Sequence, residues 1–122
     1  MSANILTVDD SASIRMTTKI ALTNAGYKVT EAVDGLDGLN KAKSAQFDLI
    51  VTDLNMPNMN GLAMIEALRK SPAHTGIPII FLTTESDADM KNRAKAAGAT
   101  GWITKPFDAD QLVKIARKVL GK

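Results

Sequence analysis

The chain is 122 residues long, 45% hydrophobic and 23% charged, which is the balance of one globular domain and not of a disordered tail. Fifteen Lys and Arg against thirteen Asp and Glu leave only +2, so the sequence pI near 9.0 is poor evidence for a nucleic-acid partner; one Trp, one Tyr and three Phe do not make a base-stacking platform. No cysteine is present, which excludes disulfides, thiol catalysis and thiolate metal sites. The start Met1-Ser2-Ala3-Asn4 has no basic leader, and no apolar stretch nears the ~20 residues that span a bilayer. A cytoplasmic protein with no membrane partner is expected.

Five short apolar runs recur along the chain: Ile5 to Val8, Lys28 to Val33, Leu49 to Thr52, Ile77 to Leu82 and Gly101 to Thr104. They are continuous more than alternating, as in strands covered on both faces. Between them lie helical spacings. After the first run, Ile14, Ala21, Leu22 and Ala25 fall on one helical face, and Gly26 is placed as a stop. Helices are also expected after Asp34-Gly35, Asn60-Gly61 and Ser86-Asp87. The last carries Leu112, Ile115, Ala116, Val119 and Leu120 as an amphipathic stripe behind an Asp108 cap. This is β-α five times over, which predicts an α/β fold: a doubly wound, five-stranded parallel sheet, (βα)5, with helices on both faces. Five units are too few for an eight-unit barrel. The chain is read as one unit, 1–122, that stops soon after its last helix without an output domain.

In open sheets of this kind ligands bind beyond the carboxyl ends of the strands. Asp9 and Asp10 follow the first strand, Asp53 the third, Thr83 and Thr84 the fourth, and Lys105-Pro106 the fifth; the second ends in Val33-Asp34-Gly35, which reads as a turn. Each residue has a plainer role open to it: Asp10 or Ser11 as a helix cap, Asp53 as a turn residue before Pro57, Thr83 and Thr84 as helix-entry residues, Lys105 as a solvated lysine. Their convergence on one sheet edge is what argues against coincidence. Three carboxylates ~5 Å apart repel by roughly 3 kcal/mol per pair at an effective dielectric of 20, so a cation must answer them or their pKa values must rise. Lys105 supplies one positive charge. An all-oxygen donor set suits a hard divalent ion such as Mg²⁺, which keeps room for a phosphoryl group, and Asp53 is then placed as a nucleophile toward phosphorus.

Competing chemistries lack their motifs. There is no G-x-x-x-x-G-K-[ST] loop and no G-x-G-x-x-G, and the single His74 sits in a turn-like stretch away from the strand ends, which argues against a Ser–His–Asp hydrolase.

Val8-Asp9-Asp10-Ser11, Thr52-Asp53-Leu54-Asn55-Met56-Pro57, Leu82-Thr83-Thr84-Glu85 and Thr104-Lys105-Pro106-Phe107 together resemble the receiver domain of two-component response regulators, especially the single-domain chemotaxis (CheY-like) type. The resemblance covers the whole chain and implies the flavodoxin-like strand order 2-1-3-4-5. It implies that Asp53 accepts a phosphoryl group from the histidine of a sensor kinase of the CheA-like kind. Asp10 and Asp53 would bind Mg²⁺ by their side chains, Asn55 by its carbonyl and Asp9 through water. Thr83 and Lys105 would meet phosphoryl oxygens, and Lys105-Pro106 would be a cis peptide. The switch would couple Thr83 to Trp102, at a place where the family more often has Tyr, Phe or His. Thr84 is a second departure, since Ala or Gly is commoner there, whereas Asn55 with Glu85 resembles chemotaxis regulators whose phosphorylation is short-lived. Lys91, Arg93 and Lys95 on the fourth helix and Lys114, Arg117 and Lys118 on the last would face an acidic protein partner, either a flagellar motor switch or a phosphotransfer protein. The expected protein is a monomeric phosphoacceptor that dephosphorylates itself and is not a turnover enzyme. Alternatives are a phosphate sink or phosphorelay shuttle, and, from another class, an aspartyl-phosphate phosphohydrolase; the last wants D-x-D where this chain has Asp53-Leu54-Asn55.

Overall fold

The computed structural model describes residues 3–54, 56, 58–71, 76–83, 88–105 and 107–121, without the side chains of Thr83, Ala88 and Met90. Ten elements alternate: β1 (Asn4–Val8), α1 (Ala12–Asn24), β2 (Lys28–Ala32), α2 (Gly35–Ser44), β3 (Leu49–Thr52), α3 (Gly61–Arg69), β4 (Ile79–Thr83), α4 (Ala88–Ala96), β5 (Gly101–Thr104) and α5 (Ala109–Leu120). All strand pairs are parallel and the order is β2-β1-β3-β4-β5, as expected. Three strands differ at their ends from the sequence expectation, β1 only by beginning one residue earlier, at Asn4. β2 stops at Ala32 because Val33 turns outward and is 50% exposed, and β4 begins at Ile79 and runs through Thr83.

The two-residue period of the strands divides the core between two faces. Leu6, Val8, Ile50, Ile79 and Phe81 point to one side, under Leu39 and Ala42 of α2, Met64, Ile65 and Leu68 of α3, and Ala94 of α4. Ile5, Leu49, Val51, Ile80, Leu82 and Ile103 point to the other, under Leu22 of α1 and Leu112 and Ala116 of α5. β3 is buried at all four positions, so its continuous apolar run is the signature of a central strand with helices on both sides.

Helix entries follow local hydrogen-bond chemistry. The oxygens of Ser11, Asp34, Asn60 and Asp108 cap α1, α2, α3 and α5 by accepting from backbone N–H groups that have no partner inside the helix. Ser11, and not Asp10, caps α1. Asp34, read above as a turn residue, is the cap of α2. Gly26 follows the Ala25 C-cap with φ 98°, in its expected place. The α1 stripe contains one residue the apolar pattern missed: Thr18 is 3% exposed, and its hydroxyl donates to the Ile14 and Arg15 carbonyls, which lets a polar side chain sit in the core.

Candidate functional site

The chain leaves β1 for β2 on one side and returns through β3 on the other, so the crevice between β1 and β3 is where the strand order reverses. The ladder continues one step past the strands there: the Asp53 N–H donates to the Val8 carbonyl at 2.8 Å and the Asp9 N–H to the Ala32 carbonyl at 3.1 Å. Register alone thus sets Asp9 beside Asp53. On the far edge Thr83 pairs with Thr104, and Lys105 follows directly.

Lys105 reaches back across β4 to both acids. Its Nζ lies 2.9 Å from Asp9 Oδ2 and 3.3 Å from Asp53 Oδ2, with the three side chains only 12%, 5% and 12% exposed. The other oxygens are held by backbone donors, Asp9 Oδ1 by Ser11 N–H at 2.9 Å and Asp53 Oδ1 by Leu54 N–H at 2.7 Å. Burial pushes the Asp53 carboxyl above its ordinary value of 3.8, and the Asp9 charge adds to this; Lys105 and the Leu54 N–H pull the other way. Burial would lower the Lys105 ammonium, but its hydrogen bond to Asp9 and the two carboxylate charges carry it above 10.5.

Carboxylate oxygens of Asp9, Asp10 and Asp53 come within 4.8 Å of one another. Three carboxylates answered by one bonded ammonium leave an excess of negative charge in an all-oxygen site. That donor chemistry fits a hard divalent cation such as Mg²⁺. Asp10 is exposed and Asp9 and Asp53 are recessed, so the cluster opens to solvent at its rim.

The sequence expectation therefore meets the structure at Asp9, Asp10, Asp53 and Lys105, which share one cluster, and at the backbone of Thr83, which ends β4. Asn55, Thr84, Glu85, Pro106, His74 and the Thr83 hydroxyl lie outside the described residues. Gly61 restrains the chain before it: its N–H donates to the Leu54 carbonyl at 2.8 Å, and a Cβ there would run into the Asp53 carbonyl and come 2.8 Å from the Phe81 ring. Glycine is required at 61 by this close approach.

Sequence reading missed Arg15. Its guanidinium donates to the Asp9 carbonyl at 2.6 Å and lies 4.0 Å from Glu31, pinning the turn after β1. One helical turn beyond the Ser11 cap, it carried no signal beyond an ordinary charged helix residue.

Trp102 sits half-buried, its ring 5.7 Å and 48° from that of Phe81 and 5.7 Å beneath Lys91 Nζ. Its Nε1–H is buried and has no hydrogen-bond partner among the described residues. Beside it opens a groove of about 280 Å³ that includes Lys91, Lys95 and Thr100 in its lining.

Residues 5–117 match the family described as response regulator receiver domain. The chain is 44% identical to the chemotaxis protein CheY4 of Vibrio cholerae, covering 98% of this chain and 100% of that one with a TM-score of 0.94. It is 39% identical over 116 residues to the response regulator ArlR of Staphylococcus aureus, covering 95% of this chain and 52% of that protein, so it spans about half the length of that relative. A receiver domain of a sensor histidine kinase from Pseudomonas aeruginosa PAO1, with a magnesium ion coordinated in its active-site cleft, superposes over 100% of both chains at 25% identity and a TM-score of 0.91. This chain belongs to the receiver domains of two-component response regulators.

Proposed function

We propose that Asp53 accepts a phosphoryl group from the phosphohistidine of a sensor kinase and that the resulting acyl phosphate controls a protein partner. The observation that carries this is the Lys105 bridge to Asp9 and Asp53 at the strand-order reversal. A carboxylate oxygen of Asp53 would form the O–P bond as the N–P bond of the phosphohistidine breaks. The electron pair stays on the imidazole nitrogen, which then takes up a proton. Lys105 is positioned to follow the charge that spreads over the phosphoryl oxygens, and Thr83 at the end of β4 would offer its hydroxyl to another. Asp10 and Asp53 would hold Mg²⁺ by their side chains, Asn55 by its carbonyl and Asp9 through water. Bound there, the ion supplies the positive charge that a nucleophilic carboxylate and an incoming anion need in order to meet. Asp53-Leu54-Asn55 lacks the second acid of an aspartyl-phosphate phosphohydrolase, which favours a phosphoacceptor over a turnover enzyme.

The test is intact mass after incubation with acetyl phosphate and Mg²⁺. One added phosphoryl group is expected for the native protein and none for Asp53→Asn; a native protein that never gains it overturns the reading.

The output we assign to the surface of α4, β5 and α5, where Lys91, Arg93, Lys95, Lys114, Arg117 and Lys118 are all exposed and the groove beside Trp102 opens. An acidic segment of a partner suits it. The likeness to CheY4 favours chemotaxis or flagellar motor control, in the cytoplasm, with a CheA-like kinase as donor. A phosphate sink or relay shuttle is the second reading, and it would use the same chemistry with no partner at this face.

Trp102 would report the switch. Its buried indole N–H has no partner among the described residues, a state that costs roughly 1–3 kcal/mol, so an alternative rotamer that pairs or hydrates it lies within reach of a small bias. Adding Mg²⁺ and a fluoroberyllate phosphoryl mimic should change Trp102 emission or its quenching by acrylamide. An unchanged spectrum at saturation would uncouple this residue from the site.

A further inference from the structure

Asp34 is a buried carboxylate at the end of β2 that the chemistry above does not use. One oxygen caps α2, accepting from the Asp37 N–H at 2.8 Å. The other accepts from Asn58 Nδ2 at 2.6 Å, across 24 residues of sequence. Asn58 has φ 66° and is the one non-glycine residue with positive φ among the described residues. Asparagine tolerates that left-handed conformation better than most residues, and it is favoured here because its amide finds a buried acceptor. One residue on, the Met59 carbonyl accepts from the Gly35 N–H at 3.0 Å. A Cβ at Gly35 would collide with that carbonyl, so the two backbones meet only because residue 35 is glycine. Between Asp53 and α3, Leu54 is therefore tied to Gly61, and Asn58 and Met59 to the start of α2.

We propose that Asp34 and Asn58 form a latch that holds the segment following Asp53 against the start of α2 and so sets how tightly the acidic cluster binds Mg²⁺. The inference rests on the Mg²⁺ reading of that cluster given above. Both are positioning residues: they touch neither the phosphoryl group nor the ion. Their bond holds Asn58, and with it Met59, in place between Asp53 and α3. Supports of this kind around a metal site typically change affinity by about 10–100-fold when removed.

The test uses the whole chain and Mg²⁺ alone, followed by backbone-amide NMR shifts, so no phosphoryl transfer is needed. Asn58→Gly deletes the amide and accepts φ 66° without strain; it should raise the Mg²⁺ dissociation constant on the order of tenfold while the fold's spectrum persists. The double exchange Asp34→Asn with Asn58→Asp keeps the charge and restores a donor–acceptor pair in reverse, and it should recover most of the native affinity. Linkage supplies a check in the native protein, where no variant has to fold: if the latch favours the ion, the ion must favour the latch, and Mg²⁺ should slow hydrogen exchange at the Gly35 amide. Equal Mg²⁺ affinity in Asn58→Gly, or Gly35 exchange indifferent to Mg²⁺ that visibly binds, overturns the latch alone. A native protein whose amides never respond to Mg²⁺ overturns the metal reading and the latch with it.

Discussion

Replacing Lys105 with methionine is expected to slow phosphoryl gain at Asp53 by roughly 10²–10³-fold, the usual effect of removing one preorganised donor from a developing oxyanion. The side chain is nearly enclosed and is bonded to two carboxylates, so methionine fills much of the volume while deleting the charge. Measuring the rate by intact mass at saturating acetyl phosphate and Mg²⁺ separates this from weaker binding; a rate within threefold of native would remove Lys105 from the chemistry.

The same variant has a signature in stability against pH. Asp53 titrates above its unfolded value because burial outweighs the pull of Lys105. Between 3.8 and the raised folded value the native state binds more protons than the unfolded chain, so this group makes stability fall as pH rises through that window and leaves it level above. Without Lys105 the folded value climbs further and the falling region extends to higher pH. In Asp53→Asn that contribution disappears, and at neutral pH the variant should melt no lower than native. Lys105 acts in the same sense at the alkaline end: its folded value is raised, so its contribution is full below 10.5 and is lost as pH climbs past the folded value. Melting midpoints from pH 4 to 11 would follow both. A flat acid limb shared by the native protein and Asp53→Asn would contradict the assignment.

Phe81→Ala is expected to cost about 3–5 kcal/mol, the range for deleting a fully buried phenylalanine, out of the ~5–15 kcal/mol that stabilises a domain of this size. Phe81 is 0% exposed on the interior strand β4, its ring against Trp102 and close to Gly61. The cavity cannot close easily, because β3 and β5 hold β4 from both sides. A drop in melting midpoint on the order of 10 °C or more should follow, with Trp102 emission shifting as the indole gains room. A loss below 1 kcal/mol would mean that the neighbouring side chains collapse into the space.

Much of this site was legible because parallel strands place their last residue, and the one after, at a common edge. Asp9, Asp53 and Lys105 each follow an apolar run directly, and the β-α alternation was enough to bring them together. Thr18 was not legible, since a hydroxyl satisfied by the carbonyls of its own helix looks like a surface residue to any pattern of hydrophobicity. Asp34 was read as a turn residue for a related reason. Its cap is local and visible, but its bond to Asn58 depends on how α2 and α3 pack.

Chain order, composition and periodicity by themselves determined the class of fold and the edge where charge collects, since these depend on local sequence and on the rule that strands in a parallel sheet point the same way. Only the tertiary structure decided which oxygens Lys105 bridges, that Gly61 is a point of close approach, that Trp102 rests on Phe81 with no partner for its N–H among the described residues, and that Asn58 is tied to the start of α2. Those are contacts between residues 8 to 96 positions apart, and register, burial and packing arise only when the sheet and both helical layers have closed.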